Sequence, residues 1–234
     1  MYLFDIILII ISSISLILIT RQYQITESFE SLLSSNEKIN LLKCMLTFHQ
    51  LCEEHNIWYN IAFGTLLGAV RHRKIIPWDD DIDLLIYKKD LHKLNPIFSI
   101  LSENYGYKVE KTWKLIRIYA DDKHFIDLFP INISNNKVFR CTVDNNLNIC
   151  DQGNGEWWTK WFNFPSKLID GNKKLYQLDG LYLYGPNDGW AILRFWYGDD
   201  FLTTCKTHYL ANHGEVIVTP KIVKCEDNGI PQLP

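Results

Sequence analysis

Apolar residues recur along the chain with two different spacings, which predict a mixture of helices and strands. Between residues 38 and 55 they return every three or four positions, the period of an amphipathic helix. Residues 57–62 and 81–87 are short segments rich in apolar residues, typical of buried strands. The whole pattern predicts an α+β domain. Further helices are predicted at residues 65–72, 90–102 with Asp90 as N-cap, and 186–196, and further strands at 107–110, 113–119, 124–129, 138–142 and 181–184.

A separate apolar segment precedes this domain. Residues 3–19 are interrupted only by Asp5 and three serines, and a run of about 17 residues is near the lower limit for a membrane span. No basic residue precedes the run, and residues 18–20 make a poor cleavage site. We therefore predict an uncleaved signal anchor at residues 1–20, with a cleaved signal peptide as the alternative. Residues 21–36 are then a polar stem, and 37–234 the folded domain.

Composition limits the function classes without choosing one. A chain of 234 residues with 47% apolar residues is long enough for one domain with a substantial core. Its net charge of −3 argues against a general nucleic-acid binder, which normally carries a basic surface.

The six cysteines form no Cys-x-x-Cys pair, so no zinc site is predicted. In an oxidising compartment Cys141 and Cys150 are close enough in sequence for a local disulfide, whereas Cys44 and Cys52 lie too far apart on one straight helix.

An acidic cluster at residues 79–83 carries the strongest chemical signal. Aspartates occupy four of these five positions, and apolar residues flank them. Since alternate residues of a strand share a face, Asp81 and Asp83 are expected to project together. A divalent metal ion between them would relieve their repulsion. An Asp-rich turn or helix start is the alternative.

The segment before this cluster resembles a phosphate-binding turn. Gly64 and Thr65 stand where a strand gives way to a helical pattern, and a helix start offers backbone N–H groups and a positive dipole end. Gly68 would weaken the helix unless another backbone or a ligand approaches it closely. A phosphate-binding turn followed by paired carboxylates is expected for metal-assisted phosphoryl or nucleotidyl transfer.

These blocks together resemble the signature of the LicD family, which contains bacterial phosphocholine transferases and the fukutin-type proteins of animals. The resemblance is carried by residues 64–72 and 76–83, by Phe-Ile-Asp-Leu-Phe-Pro at residues 125–130, and more weakly by residues 184–199. It implies a nucleotidyltransferase-like mixed β-sheet flanked by helices, here preceded by a transmembrane helix. It also implies a third carboxylate, Asp127, on a later strand.

The resemblance assigns roles to the acidic residues. Asp81 and Asp83 would hold Mg²⁺ or Mn²⁺, and Asp127 would either complete the metal shell or act as general base on an acceptor hydroxyl. Asp79 and Asp80 are interpreted as a cap or as support that orients the metal ligands.

The expected phosphate-binding residues are less distinctive. Gly64 and Thr65 would contact donor phosphate, and four basic residues are candidates to neutralise its charge. Arg117 is preferred among these for its forked donors. A solvated strand face is the alternative for Lys114 and Arg117, and a structural hydrogen bond for His72. The four candidates are Arg71, His72, Lys114 and Arg117.

The implied activity is transfer of a phospho-alcohol, phosphocholine or ribitol phosphate, from a CDP-linked donor to a glycan hydroxyl with release of CMP. A nucleotidylyltransferase and a catalytically silent glycan-binding member of the fold remain as alternatives. The resemblance to fukutin-type proteins implies a single-pass type II membrane protein whose domain faces the Golgi or endoplasmic reticulum lumen. Asp5 before the anchor and Arg21 after it give the opposite of the usual charge bias for that orientation.

Overall fold

A long central strand, β5, organises the fold by pairing with three neighbours. A computed structural model of the chain describes residues 35–76, 79–112, 115–143, 150–152, 161–171, 174–206 and 222–224. The helices are α1 (Ser35–Glu54), α2 (Phe63–Arg71), α3 (Leu94–Tyr105) and α4 (Gly189–Tyr197), with 3₁₀ helices at Lys88–Lys93 and Ser166–Leu168. The strands are β1 (Tyr59–Ile61), β2 (Asp81–Tyr87), β3 (Lys108–Lys111), β4 (Ile116–Tyr119), β5 (Phe125–Ser134), β6 (Lys137–Val143), β7 (Cys150–Gln152), β8 (Lys174–Leu178), β9 (Leu181–Gly185), β10 (Thr204–Lys206) and β11 (Ile222–Lys224).

The main sheet is mixed, with the strand order β1-β2-β5-β4-β3. Strands β2 and β5 run parallel, whereas β1–β2, β4–β5 and β3–β4 are antiparallel. The last four residues of β5 also pair with β6, which in turn pairs with β7. Because β5 has 10 residues, it is long enough to pair with β2 and β4 at its start and with β6 at its end.

The core lies between this sheet and its flanking elements. Leu41, Met45 and Phe48 of α1 are fully buried, and the Phe48 ring centre lies 6.1 Å from that of Tyr59 on β1. Tyr59 pairs with Ile86, so α1 covers the face of the sheet that carries Ile82, Leu84 and Ile86. Helix α2 packs against β2, β8 and α4 instead. The odd-numbered side chains of β2 therefore project away from α1.

Most predicted elements are confirmed within one to four residues, and β2 has the predicted bounds. The prediction around Asp90 is wrong, because residues 88–93 form a 3₁₀ helix and α3 begins only at Leu94. The Asp90 carboxylate accepts a hydrogen bond from Lys93 Nζ at 2.7 Å and caps no helix. Strand β8, which pairs with β9 as a hairpin, was not predicted. The last predicted helix begins at Gly189, where the Asp188 side chain accepts from the Ala191 N–H as N-cap.

The predicted Cys141–Cys150 disulfide is wrong. In the β6–β7 pair Cys141 faces Gln152 while Cys150 faces Val143, and Cys141 is a buried thiol. Cys44 and Cys52 are buried free thiols, as their separation on α1 predicts. Cys205 is disulfide-bonded.

In the part of the chain that the structure describes, no helix is both long enough and apolar enough to cross a membrane. The predicted anchor at residues 1–20 and most of the predicted stem lie outside the described residues. Both segments stay predictions.

Gly68 is required by a close backbone approach. A Cβ built at this position would overlap the carbonyl oxygen of Lys74 and come within 3.3 Å of Ile76. We expect Gly68→Ala to lower the free energy of unfolding by about 1–3 kcal/mol, because the returning backbone must move. Urea denaturation measures this loss.

Gly106→Ala is the matched control for that measurement. Gly106 has a φ of 74° but open space where a Cβ would stand, so only backbone strain of about 1 kcal/mol is expected. A Gly68→Ala variant no less stable than Gly106→Ala would contradict the importance of this contact.

Candidate functional site

Three carboxylates meet on one face of the sheet, at the start of β2 and β5. Asp83 and Asp127 are register partners on these parallel strands, and Asp81 lies opposite Phe125. One carboxylate oxygen from each of Asp81, Asp83 and Asp127 lies within 4.8 Å of the others. Strand alternation thus places Asp81 and Asp83 on a shared face, and the parallel pairing adds Asp127 to them.

The electrostatics of this trio fit a cation. Burial raises the pKa values of Asp81 and Asp83 well above the usual range, and repulsion from neighbouring aspartates, Asp127 among them, raises them further. Carboxylate oxygens are the ligands that Mg²⁺ and Mn²⁺ prefer in proteins. The donor set of the trio therefore fits the predicted divalent ion.

Arg117 is bound to the third carboxylate by a two-point contact. Its Nε donates to Asp127 Oδ1 at 2.7 Å and its Nη2 to Asp127 Oδ2 at 2.8 Å. The two residues are register partners on β4 and β5, and the guanidinium carbon lies 3.5 Å from the centre of the Phe125 ring. The structure thus places this predicted phosphate-binding cation directly on a predicted metal ligand.

The start of α2 holds the backbone of Asp83 in place. Phe63, the first residue of this helix, has a left-handed φ of 44°. The amide of Asp83 donates to Thr65 Oγ1 at 2.8 Å, and its carbonyl accepts from the Ala62 N–H at 2.9 Å. A hydroxyl that accepts one bond keeps its own proton for another acceptor, so Thr65 can still donate to a ligand.

Asp79 lies against the same helix start. A Cβ built on Gly64 would overlap the Asp79 carboxylate, which explains the glycine at this position. Burial first, and Asp80 next, raise the pKa of Asp79 to about 7, while Arg71 acts in the opposite direction. Asp79 and Asp80 are thus placed beside the trio without belonging to it.

The side chains of Arg71 and His72 bind each other. Arg71 is 4% exposed, and its Nε donates to His72 Nε2 at 3.2 Å. Burial, and then the charge of Arg71, lower the pKa of His72 to about 4, so His72 is neutral at pH 7. The structural hydrogen bond that was the alternative for His72 is therefore present. Lys114, the remaining predicted cation, lies outside the described residues.

Two further residues reach this region and were not selected from the sequence. Arg140 on β6 is 7% exposed and lies 5.6 Å from the centre of the Phe129 ring, on the face that also carries Asp127. Burial lowers its pKa to about 10, and the charge of Asp127 opposes that shift. Burial also raises the pKa of Tyr197 well above its usual range, and Asp79 and Asp83 raise it further. The position of this arginine between the apolar residues Phe139 and Cys141 was the available signal for Arg140.

Aromatic side chains form the other wall of the site. Phe63 has its ring centre 5.4 Å from that of Phe129 and 5.8 Å from that of Trp161. Trp161 in turn lies 5.7 Å from Tyr197, and Phe162 is 3% exposed. Trp161 and Phe162 therefore pack within this aromatic cluster. Trp157 and Trp158 lie outside the described residues.

Comparison with known proteins identifies a family. A profile of the nucleotidyltransferase domain shared by LicD, FKTN and FKRP matches residues 56–188, which include the trio and the start of α2.

Individual relatives match over parts of their length. The uncharacterized protein RP689 of Rickettsia prowazekii is 30% identical over 159 residues, which are 67% of this chain and 53% of that protein. The lipopolysaccharide cholinephosphotransferase LicD of Haemophilus influenzae is 42% identical over 60 residues, or 25% of this chain and 23% of that enzyme. Human ribitol 5-phosphate transferase FKRP is 36% identical over 87 residues, covering 33% of this chain and 17% of that enzyme. The chain thus spans about half the length, or less, of these relatives.

Among solved structures, the crystal structure of ANT(2″)-Ia in complex with adenylyl-2″-tobramycin matches 62% of this chain and 70% of its own chain. The TM-score is 0.39 and the sequence identity 14%. The lincosamide adenylyltransferase LnuA, with lincomycin bound, gives the same TM-score and identity over 62% of this chain and 79% of its own.

The Thr65 hydroxyl should stabilise the fold through Asp83. We expect Thr65→Val to lower the free energy of unfolding by about 1–3 kcal/mol, because the Asp83 amide is left without its acceptor. Thr65→Ser keeps the hydroxyl, so its free energy of unfolding should fall by less than half as much. Urea denaturation of both variants measures these losses. A loss in Thr65→Val no larger than that in Thr65→Ser would contradict the importance of the hydroxyl, because Val keeps a methyl group and lacks only the hydroxyl.

Asp79 should make the metal-free protein less stable as the pH rises. Its folded-state pKa of about 7 exceeds that of an unfolded aspartate, so its stabilising contribution is present below about pH 4 and is lost as pH approaches 7. In EDTA at pH 8, Asp79→Asn should be more stable than wild type by about 1–3 kcal/mol, and the difference should vanish near pH 4. Denaturant unfolding of both proteins between pH 4 and pH 8 measures this difference in stability.

Asp122→Asn, which removes an exposed carboxyl from the β4–β5 turn, is the control. Identical pH slopes for Asp79→Asn and wild type would contradict the raised pKa of Asp79.

Proposed function

The chain belongs to the LicD/FKTN/FKRP family, and from this premise we propose that it is a metal-dependent phosphotransferase. It would move a phospho-alcohol, of the phosphocholine or ribitol 5-phosphate type, from a CDP-linked donor to a glycan hydroxyl and release CMP. The observation that carries the proposal is the pairing of Asp83 with Asp127 on parallel strands, with Asp81 within 4.8 Å of both. Two relatives are named for these two transfers.

The three carboxylates of the trio are the residues that would hold Mg²⁺ or Mn²⁺. Such an ion would neutralise the donor diphosphate and stabilise the charge that develops on the leaving CMP. No other cluster of His, Cys, Asp or Glu within the described part of the chain has the geometry of a metal site. The role of the protein is to hold these oxygens in place, which the Thr65–Asp83 bond and the β2–β5 register accomplish.

Asp127 fits the role of metal ligand better than that of general base. Both of its oxygens accept hydrogen bonds from Arg117, and a paired guanidinium stabilises the ionised form of a carboxylate. An ionised and stabilised carboxylate is a weak proton acceptor for an alcohol. We therefore assign Asp127 to the metal shell in the proposed reaction.

Phosphate recognition in the proposed reaction would fall to the start of α2 and to two arginines. The amides of Gly64 and Thr65 lie in the first turn of a helix, where backbone N–H groups favour anions. Arg117 and Arg140 lie on the same face of the sheet as the trio and can supply positive charge to a diphosphate. Arg71 is buried against the Phe201 carbonyl and His72 and would act on the site through Asp79.

The proposed location is a membrane of the secretory route, with the domain on the lumenal side. The apolar run at residues 3–19 supports an anchor. The disulfide at Cys205 supports an oxidising compartment, where such bonds persist.

The proposed activity predicts which half of the donor is transferred. Purified protein with Mn²⁺, a glycan acceptor mixture and CDP-choline, CDP-ribitol, CDP-glycerol or CDP-ethanolamine should release CMP from one of the four. A label in the alcohol should reach the acceptor. Asp83→Asn should reduce this release at least about a hundredfold, because the metal site loses a ligand, whereas Lys108→Gln should keep it.

Two other outcomes would indicate a different function for this protein. A nucleotide label on the acceptor would make the protein a nucleotidylyltransferase. No release from any donor, together with no Mn²⁺ binding, would make it a binding or scaffold member of the family.

A further inference from the structure

A row of charged side chains runs across four strands of the sheet. Glu110 on β3 pairs with Arg117 on β4, Arg117 pairs with Asp127 on β5, and Asp127 pairs with Asp83 on β2. Because register partners share a face, these four side chains stand side by side. Arg117 is thus the cation between an outer carboxylate and the trio.

The Arg117–Asp127 contact is enclosed as well as short. The side chains are 17% and 5% exposed, and Arg117 is stacked on the Phe125 ring. The guanidinium uses a separate N–H for each Asp127 oxygen, at 2.7 and 2.8 Å. Any ion that Asp127 binds must therefore use an oxygen that already accepts from Arg117 and must stand close to a positive charge. The repulsion between a dication and a guanidinium at such a distance is large outside bulk water.

A diphosphate is the other ligand that matches this guanidinium. Phosphate oxygens accept a forked pair of N–H donors as carboxylates do, and they carry more charge. An incoming diphosphate can therefore accept the two hydrogen bonds that Arg117 donates to Asp127. Both oxygens of that carboxylate are then available to the metal.

We propose that Arg117 is a resident counter-ion of the carboxylate trio, which competes with the divalent metal for Asp127 and is drawn away by the donor diphosphate. Metal and nucleoside diphosphate then bind cooperatively through the exchange of one guanidinium between Asp127 and phosphate. By linkage, each ligand tightens the other by the same factor. The inference rests on the proposed function for the identity of the donor, but the competition between Arg117 and the metal does not depend on it. Arg117 would thus act on the metal through Asp127 and on the donor by binding its phosphate.

The experiment is a Mn²⁺ titration of the whole chain, followed by the paramagnetic resonance of free Mn²⁺, with and without CDP. Arg117→Gln should bind Mn²⁺ alone at least about tenfold more tightly than wild type, because a positive charge has left the neighbourhood of the ion. Addition of CDP should tighten Mn²⁺ binding in wild type and tighten it less in Arg117→Gln. Without any ion, Arg117→Gln should unfold at a lower temperature, since the trio has lost its counter-ion.

Two further variants separate the effect of the Arg117–Asp127 contact from the effect of charge alone. Lys108→Gln removes the same charge from the same face, but Lys108 Nζ lies over the Tyr119 ring and does not touch Asp127, so wild-type Mn²⁺ affinity is expected. Arg117→Lys keeps the charge but loses the fork, and its affinity should fall between those of wild type and Arg117→Gln. This variant also serves if Arg117→Gln does not fold.

The outcomes separate the inference from the proposed function. Unchanged or weaker Mn²⁺ binding in Arg117→Gln and Arg117→Lys, with good binding in wild type, overturns the counter-ion role alone. An equal CDP effect in all variants overturns the coupling. If neither wild type nor any variant binds Mn²⁺, the metal-dependent function is overturned together with this inference.

Discussion

The parallel pairing of β2 with β5 is the constraint on which the candidate site depends. It places Asp83 beside Asp127, with Asp81 two residues earlier on β2 and on the same face. Three carboxylates therefore share a small area of a largely buried sheet. Like charges on adjacent strands are destabilising unless something positive compensates them. A register shift of one residue would turn the side chains of β2 to the other face and bury Asp81 and Asp83 against α1. The apolar partners Ile82, Leu84 and Ile86 oppose such a shift, since all three are fully buried.

The surrounding elements contribute to the same arrangement. Antiparallel pairing of β4 with β5 brings Arg117 to Asp127, and the start of α2 supplies the hydroxyl that holds the Asp83 amide. Gly64 leaves room for the Asp79 carboxylate, and Gly68 leaves room for the chain that returns toward it. The site is therefore built by close backbone contacts as much as by charged side chains. In such a setting a charge that loses its partner is costly.

Local patterns predicted much of this structure. The alternation from Asp81 to Tyr87 predicts a strand with both aspartates on one face, and the structure has that strand with the predicted bounds. The glycine at position 68 predicts a close approach, and the approaching group is the Lys74 carbonyl. Local patterns were misleading at Asp90, where a residue type common at N-caps lies inside a 3₁₀ helix and pairs with Lys93. They also missed β8, a five-residue strand with two exposed residues at its start.

The sequence by itself determined the chemistry available: which residues carry carboxylates, which strand presents two of them together, and where a helix start precedes them. It also identified Asp127 through family resemblance. Only the tertiary structure decided which side chains become partners. Arg117 contacts Asp127, Arg71 contacts His72, and Arg140 joins the face of the trio, although Arg117 and Arg71 had been expected to face phosphate and Arg140 had not been considered. The physical reason is that periodicity is local, whereas strand order and register follow from burial and hydrogen bonding between segments far apart in the chain.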